Sequence, residues 1–204
     1  TDGLGFSLVI RDPSAAVDTW SLKESWRPSG AINGSPGQTD PSPPSIPTIL
    51  VNEALAHTDP PSEDSIELFN PGTESANVGG WLLSDDLHAP VKYRIPDGTV
   101  IPAGGYLTVS SNQFSVGLNG FALSSTGEEV YLFSADANTN LTGYAHRFAF
   151  GASPNGVAFC RYENSRGEEQ FVLESRNTLG AINAYPRVGP VVISEIHYAP
   201  TGTA

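Results

Sequence analysis

Apolar and polar residues alternate along most of this chain in short runs, and glycine, proline, asparagine or aspartate closes nearly every run. A period of two is the mark of a strand with one face buried. The clearest case is Ser65-Ile66-Glu67-Leu68-Phe69, which runs into Asn70-Pro71-Gly72. Proline presets φ and glycine accepts φ > 0, so that triplet is a turn. A bend at Val78-Gly79-Gly80 then leads into Trp81-Leu82-Leu83-Ser84, a second strand opened by a large aromatic. The same reasoning places strands at 49–55, 65–69, 81–84, 91–95, 105–110, 129–134, 144–150, 157–162 and 170–174. Turns at Pro96-Asp97-Gly98 and Pro102-Ala103-Gly104-Gly105 bracket residues 99–101. Strands spaced near the ~8–12 residues of a sandwich predict an all-β, antiparallel β-sandwich. Its expected core is Val51, Ile66, Leu68, Trp81, Leu83, Leu107, Val109, Val130, Leu132 and Phe148.

Outside this block the chain echoes itself. Gly30-Ala31-Ile32-Asn33 recurs as Gly180-Ala181-Ile182-Asn183, and Asp2-Gly3-Leu4-Gly5-Phe6 as Asn155-Gly156-Val157-Ala158-Phe159. Residues 20–25 match 171–175 loosely, and Pro190-Val191-Val192-Ile193-Ser194-Glu195-Ile196 echoes residues 48–54. Ordered echoes of this kind predict tandem modules with a period of roughly 145–150 residues, the size of a domain rather than of a solenoid repeat. The expected organisation is a C-terminal remnant of a preceding module at 1–37, a linker at 38–47, a complete sandwich at 48–185 and the first strand of a following module at 189–204. Pro41, Pro43, Pro44 and Pro47 make the linker an extended spacer. The chain has no Met, which suggests a segment of a longer protein.

Three stretches in order resemble the signature of lamin-tail domains. These are Asn52-Glu53-Ala54, then Ile66-Glu67-Leu68-Phe69-Asn70-Pro71-Gly72, then Gly80-Trp81-Leu82-Leu83-Ser84-Asp85. Residues 96–107 and 121–132 are similar to two further stretches of that family, so the resemblance covers most of 48–183. It implies an immunoglobulin-like sandwich in which Glu53, Glu67, Asn70, Gly72, Gly80, Trp81 and Asp85 are structural signature residues. The resemblance also implies a place on a large extracytoplasmic protein, since tandem bacterial lamin-tail domains commonly occur on such proteins.

Composition narrows the function classes. Glycine and proline number 21 and 17 of 204 residues, without a collagen period, which suits many short strands joined by turns. A net charge of −12 with only 10 Lys and Arg argues against a nucleic-acid partner, because phosphate contacts need clustered cations. No run approaches the ~18 apolar residues of a membrane-spanning helix, so direct membrane insertion is not expected. Cys160 is the single cysteine, which excludes an intrachain disulfide.

Candidate chemistry is sparse. Glu53 and Glu67 could form the two-carboxylate pair of a glycosidase. Alternation points Glu67 away from Ile66 and Leu68, toward solvent or a neighbouring turn, and a structural role is expected for both. Asp136, Asn138 and Asn140 carry oxygen ligands at every second position, as a calcium loop begins, but the glycine and terminal glutamate of such a loop are missing. A polar hairpin is the better expectation there, with calcium the one cofactor considered. Asp85-Asp86 with His88 reads as a solvated loop. His57, His88, His146 and His197 fit no metal-binding spacing. No serine sits in a nucleophile elbow, and no phosphate loop or dinucleotide fingerprint occurs. Trp20, Trp26 and Trp81 could offer a sugar-stacking platform, though Trp81 opens a core strand. Asn33-Gly34-Ser35 and Asn140-Leu141-Thr142 fit the glycosylation sequon.

The expected function is a non-enzymatic structural, adhesion or protein-interaction module, extracellular or on a cell surface. Its partners would be proteins or neighbouring repeats of the same chain. A carbohydrate-binding module, with a glycan partner, is the alternative, and a hydrolase would need convergent acids.

Overall fold

The computed structural model describes residues 5–42, 45–189 and 193. All nine expected strands of the central block form. In chain order they are β3 (Leu50–Leu55), β4 (Ser65–Phe69), β6 (Leu82–Ser84), β7 (Tyr93–Arg94), β9 (Tyr106–Ser110), β10 (Gly127–Ala135), β11 (Leu141–Gly151), β12 (Phe159–Glu163) and β13 (Glu169–Leu173). A two-stranded ribbon of β5 (Ala76–Asn77) and β8 (Val100–Ile101) was not expected, nor was the short helix α1 (Ser111–Phe114). At four residues α1 is too short to show a helical period, and its start is set by a capping box: the Ser110 N–H donates to Gln113 Oε1 at 3.0 Å.

The strands assemble as a five-stranded antiparallel sheet, β13-β12-β3-β4-β9, facing a four-stranded one, β11-β10-β6-β7. This is an immunoglobulin-like β-sandwich. Between the sheets lie Val51, Ile66, Leu68, Trp81, Leu83, Val109, Val130, Leu132 and Phe148, all buried, with Leu107 packed at the margin. The expected core is therefore the observed one. Trp81 sits just before β6 rather than in it, and its ring packs on Tyr144 at 5.8 Å. One further tie crosses between the sheets. The Val51 N–H donates to His146 Nδ1 at 3.0 Å, so the half-buried imidazole carries no proton at that nitrogen.

Before the sandwich, β1 (Phe6–Ile10) and β2 (Trp26–Ile32) pair as an antiparallel hairpin. The match of residues 20–25 to the strand at 171–175 does not carry over to structure. Most of 17–25 is 3-10 helix, and β2 begins only at Trp26. The Gly-Ala-Ile echo likewise takes two forms, a strand at Gly30-Ala31-Ile32 and a turn at Gly180-Ala181-Ile182. Most of the expected strand at 189–204 lies outside the described residues.

Both sheets are buried on their outer faces as well, which simple alternation does not predict. Along β10, Val130 and Leu132 face the core, while Tyr131, Phe133 and Ala135 join Leu82 in a second apolar cluster on the far side. Phe6 of the leading hairpin packs against that cluster beside Leu87, Leu141 and Ala145. Gly143 faces the Phe6 ring at φ 103°, a conformation that side chains rarely adopt. The outer face of the five-stranded sheet is instead polar.

Candidate functional site

The polar site begins with a bulge. In the β3–β4 ladder Val51 pairs with Leu68 and Glu53 with Glu67, so Asn52 is an extra residue in β3. A bulge opposes two residues to one. Asn52 and Glu53 can therefore both reach toward Glu67, while Val51 and Ala54 still face the core. Glu53 and Glu67 are 0% exposed and Asn52 2%. A buried carboxyl is costly unless it is hydrogen-bonded or protonated. The partners come from residues 174–187, which fold back over this face. Glu174 bridges to Pro186, and the Arg187 N–H donates to the Leu173 carbonyl at 2.7 Å.

Glu67 accepts from both sides. Asn52 Nδ2 donates to Oε1 at 2.8 Å, and the Gly180 N–H donates to Oε2. Asn52 and Asn183 form a reciprocal amide pair, with Asn52 Nδ2 donating at 2.6 Å and Asn183 Nδ2 at 3.2 Å. Asn183 Nδ2 also donates to the Arg161 carbonyl of β12 at 2.8 Å, which ties the covering segment to a third strand.

Glu53 and Glu174 meet at Thr178. The Thr178 hydroxyl oxygen lies 2.6 Å from Glu174 Oε2 and 3.1 Å from Glu53 Oε2, and its N–H points at Oε1 of both. One hydroxyl has one hydrogen to give, so the second oxygen contact needs a proton on a carboxyl. Glu53 carries it. Burial, then the Glu174 carboxylate and the charge of Glu67, push its pKa up to about 9, against the contact with Thr178. Glu67 is also raised by burial, opposed by the Gly180 N–H and the Asn52 amide. Cys160 lies beside this cluster with Sγ 4.0 Å from the Ala184 carbonyl. Burial first, then Glu174 and Glu53, push its thiol up to about 12, which leaves it a poor nucleophile.

Of the two surroundings expected for Glu67, solvent or a neighbouring turn, the structure gives the turn, whose Gly180 N–H donates to it. Alternation does send it away from the core, but onto a covered surface and not into water. Its neighbours Asn52, Glu174, Thr178 and Asn183 went unrecognised as site residues, although the Gly-Ala-Ile-Asn echo singled out Gly180 and Asn183 by sequence. Every polar contact described above is internal, so the cluster is a lock that fastens 174–187 to the sheet.

The other signature residues lie elsewhere. Asn70 organises the turn after β4. Its Nδ2 donates to the carbonyls of Glu74, Ile101 and Pro102 at 2.9, 3.0 and 3.1 Å, and Oδ1 accepts from the Gly72 N–H at 2.9 Å. Gly80 holds φ 87° against the Arg94 guanidinium, ahead of Trp81. Asp85 pairs with Lys92. Asp136, Asn138 and Asn140 form the polar turn joining β10 to β11. Asp136 Oδ1 accepts from the N–H groups of Asn138 and Asn140 at 2.9 and 2.8 Å, and Oδ2 from Asn140 Nδ2 at 3.0 Å. The Asn140 side chain and backbone hold the Asp136 carboxyl below its usual range. Among the described residues, no group of three or more His, Cys, Asp or Glu side chains is placed to hold a metal ion.

Trp26 Nε1 donates to the Trp20 carbonyl at 2.7 Å within the leading hairpin. Phe69 and Tyr106, both half-buried on the outer face of the five-stranded sheet, stack at 4.9 Å at the β4–β9 edge.

No curated protein and no solved structure matches the chain. The family model of the lamin tail domain matches residues 42–147, which take in the bulged β3, the Asn70 turn and Trp81. On that match, and on the sandwich that carries it, the chain belongs to the lamin tail domain family.

Proposed function

We propose that this chain is a non-enzymatic protein-interaction module, borne in tandem with others of its kind on a large extracytoplasmic protein, where it serves a structural or adhesive role. One observation carries the non-enzymatic part. The convergent acids Glu53, Glu67 and Glu174 are at most 1% exposed and bonded to their own chain, so no substrate reaches them. A glycosidase pair needs two carboxyls flanking an open cleft. Extracytoplasmic placement and tandem arrangement rest on the family resemblance and on the sequence echoes. The acidic surface favours a protein partner over a nucleic acid.

The stacked Phe69 and Tyr106 favour a second reading, a carbohydrate-binding face, because paired half-exposed aromatics are what a sugar ring stacks upon. A glycan array run on the native chain and on Tyr106→Ala separates the two. The interaction-module reading expects no glycan signal that Tyr106→Ala removes, and such a signal would replace it with the second. A hydrolysis panel on polysaccharides and phosphoesters should show no turnover. Turnover that Glu53→Gln or Glu67→Gln abolishes would overturn the reading outright.

A further inference from the structure

The edge of a sheet is a row of unpaired backbone N–H and C=O groups, and proteins blunt it with charge, bulges, brevity or a cover. The two facing sheets end in β7, β11, β13 and β9, and the first three are blunted. β7 spans only Tyr93–Arg94 and carries a charge. β11 carries His146 and Arg147, and its Gly143 faces the Phe6 ring of the leading hairpin. The end of β13 is paired by the returning chain, where Glu174 bridges to Pro186 and the Arg187 N–H donates to the Leu173 carbonyl.

β9, Tyr106-Leu107-Thr108-Val109-Ser110, has no such device. It holds no charge and no proline, and its ladder with β4 runs without a bulge from the pair Ser65 and Ser110 to the pair Phe69 and Tyr106. The phase of that ladder is fixed beyond both ends. The Asn70 N–H donates to the Gly105 carbonyl at 3.0 Å, and the Ser111 N–H donates to the Asp64 carbonyl at 2.8 Å. Bonding alternates along an antiparallel pair, so Leu107 and Val109 turn their backbone groups to β4. Tyr106 and Thr108 turn theirs outward, where no backbone partner meets them among the described residues. The Ser110 N–H is taken by Gln113, which closes the open stretch at that end. Thr108 is exposed, and Tyr106 and Leu107 are half-buried.

We propose that the β9 edge binds an extended segment of a partner protein, which joins the five-stranded sheet as a further strand. This rests on the interaction-module reading above and names what the module recognises. Donors and acceptors at alternate residues are matched by another extended chain. Side chains define that chain further. On the outer side its residues lie along the Phe69–Tyr106 stack, and on the inner side they cap Leu107 at the margin of the core, so both positions call for apolar or aromatic residues. Carboxylates flank the edge at both ends. Glu63 accepts from Asn112 Nδ2 at 2.5 Å just past β9, and Glu74 belongs to the Asn70 turn that adjoins Gly105. Both are exposed, and neither has an ion pair among the described residues. The segment is therefore apolar in its middle with a Lys or Arg at each end.

The test uses the whole chain and a synthetic peptide of that chemistry, Lys-Val-Thr-Val-Tyr-Val-Lys. In an NMR titration the amides of Tyr106 and Thr108 should shift saturably and become protected from exchange with solvent. Thr108→Pro removes an edge N–H and should weaken binding about tenfold, with a cooperative melt to confirm the fold. Tyr106→Ala keeps the backbone contacts and should weaken binding less. Methylating the peptide's amide nitrogens at alternate residues probes the same contact without altering the chain. Of the two possible alternations, only the one whose methyl groups meet β9 should lose binding. Amides that do not shift, or binding that Thr108→Pro and both methylated peptides leave unchanged, overturn strand addition. Self-association of the chain through β9 that excludes the peptide overturns the choice of partner. A glycan signal lost in Tyr106→Ala but kept in Thr108→Pro assigns the surface to carbohydrate instead. Failure of the peptide alone leaves the interaction-module reading to its own glycan and hydrolysis tests.

Discussion

The two outer faces of this sandwich solve one problem in opposite ways. Each sheet is buried on both sides, and each is covered by chain from beyond the strands that form it. Over the five-stranded sheet the cover is downstream, residues 174–187, and it is fastened by hydrogen bonds to Asn52, Glu53 and Glu67. Over the four-stranded sheet the cover is upstream, the β1–β2 hairpin, and it is held by the Phe6 ring on Leu82, Tyr131, Phe133 and Ala135. Hydrogen bonds are directional and leave costly orphans when broken, so the first cover has one position. Apolar contact is non-directional, so the second cover is held less strictly in one position. A polar cover fixes position, while an apolar one has only to exclude water.

The largest effect comes from what both covers share. Trp81→Ala removes a buried indole from between the sheets and should cost about 3–5 kcal/mol in a denaturant melt. An unchanged melt would place Trp81 outside the core and remove the common foundation of the comparison.

Next is the polar lock. Glu67→Ala orphans one buried N–H of the Asn52 amide, at roughly 1–3 kcal/mol, and takes the acceptor from the Gly180 N–H at the margin of the cover. Amides of β12 and of residues 178–184 should then exchange faster with solvent, while the Phe6 contact stays intact. Exchange that accelerates equally at both covers would show them to be one cooperative unit.

The lock also has a pH signature of unusual sign. Glu53 holds its proton up to about pH 9 when folded and releases it near the ordinary 4.5 when unfolded. A raised folded value gives stability that is full below 4.5 and is lost as pH rises toward 9. Between pH 7 and 9 this contributes a loss of up to about 1.4 kcal/mol per pH unit. His146, lowered by burial, and Asp40, lowered by its hydroxyl partners, act with the opposite sign, but only at lower pH. Glu53→Gln keeps a donor for Thr178 and should flatten the slope across that window. A native chain whose stability is level from pH 7 to 9 would mean that Glu53 is ionised in the folded state.

The smallest effect belongs to the apolar cover. Phe6→Ala should cost about 1 kcal/mol, below the ~1.5–3 kcal/mol of a fully buried side chain, because Phe6 is half-buried. It should also free the hairpin, seen as faster proteolysis after Asp40. A loss as large as that of Glu67→Ala would mean that the hairpin is integral to the sandwich.

Much of the sandwich was legible in the sequence because its signals are local. Alternation in Ile66-Glu67-Leu68, the turn at Asn70-Pro71-Gly72 and the aromatic at Trp81 each depend on a few neighbouring residues, and all nine strands and the core followed from them. The outer faces were not legible. Alternation says only that Glu67, Tyr131 and Phe133 point away from the core, and it does not say what lies there. Whether a carboxyl there meets water, or a Gly180 N–H brought from more than a hundred residues downstream, depends on where the chain folds back. The bulge at Asn52 shifts the pairing of one strand against another, which no single strand records. The echoed Gly-Ala-Ile-Asn makes the same point, as four identical residues form a strand end beside β1 and a turn over β3. Local sequence determined which residues turn and which alternate. The tertiary structure alone decided what covers them, because burial and hydrogen bonding are properties of surroundings that the chain supplies from a distance.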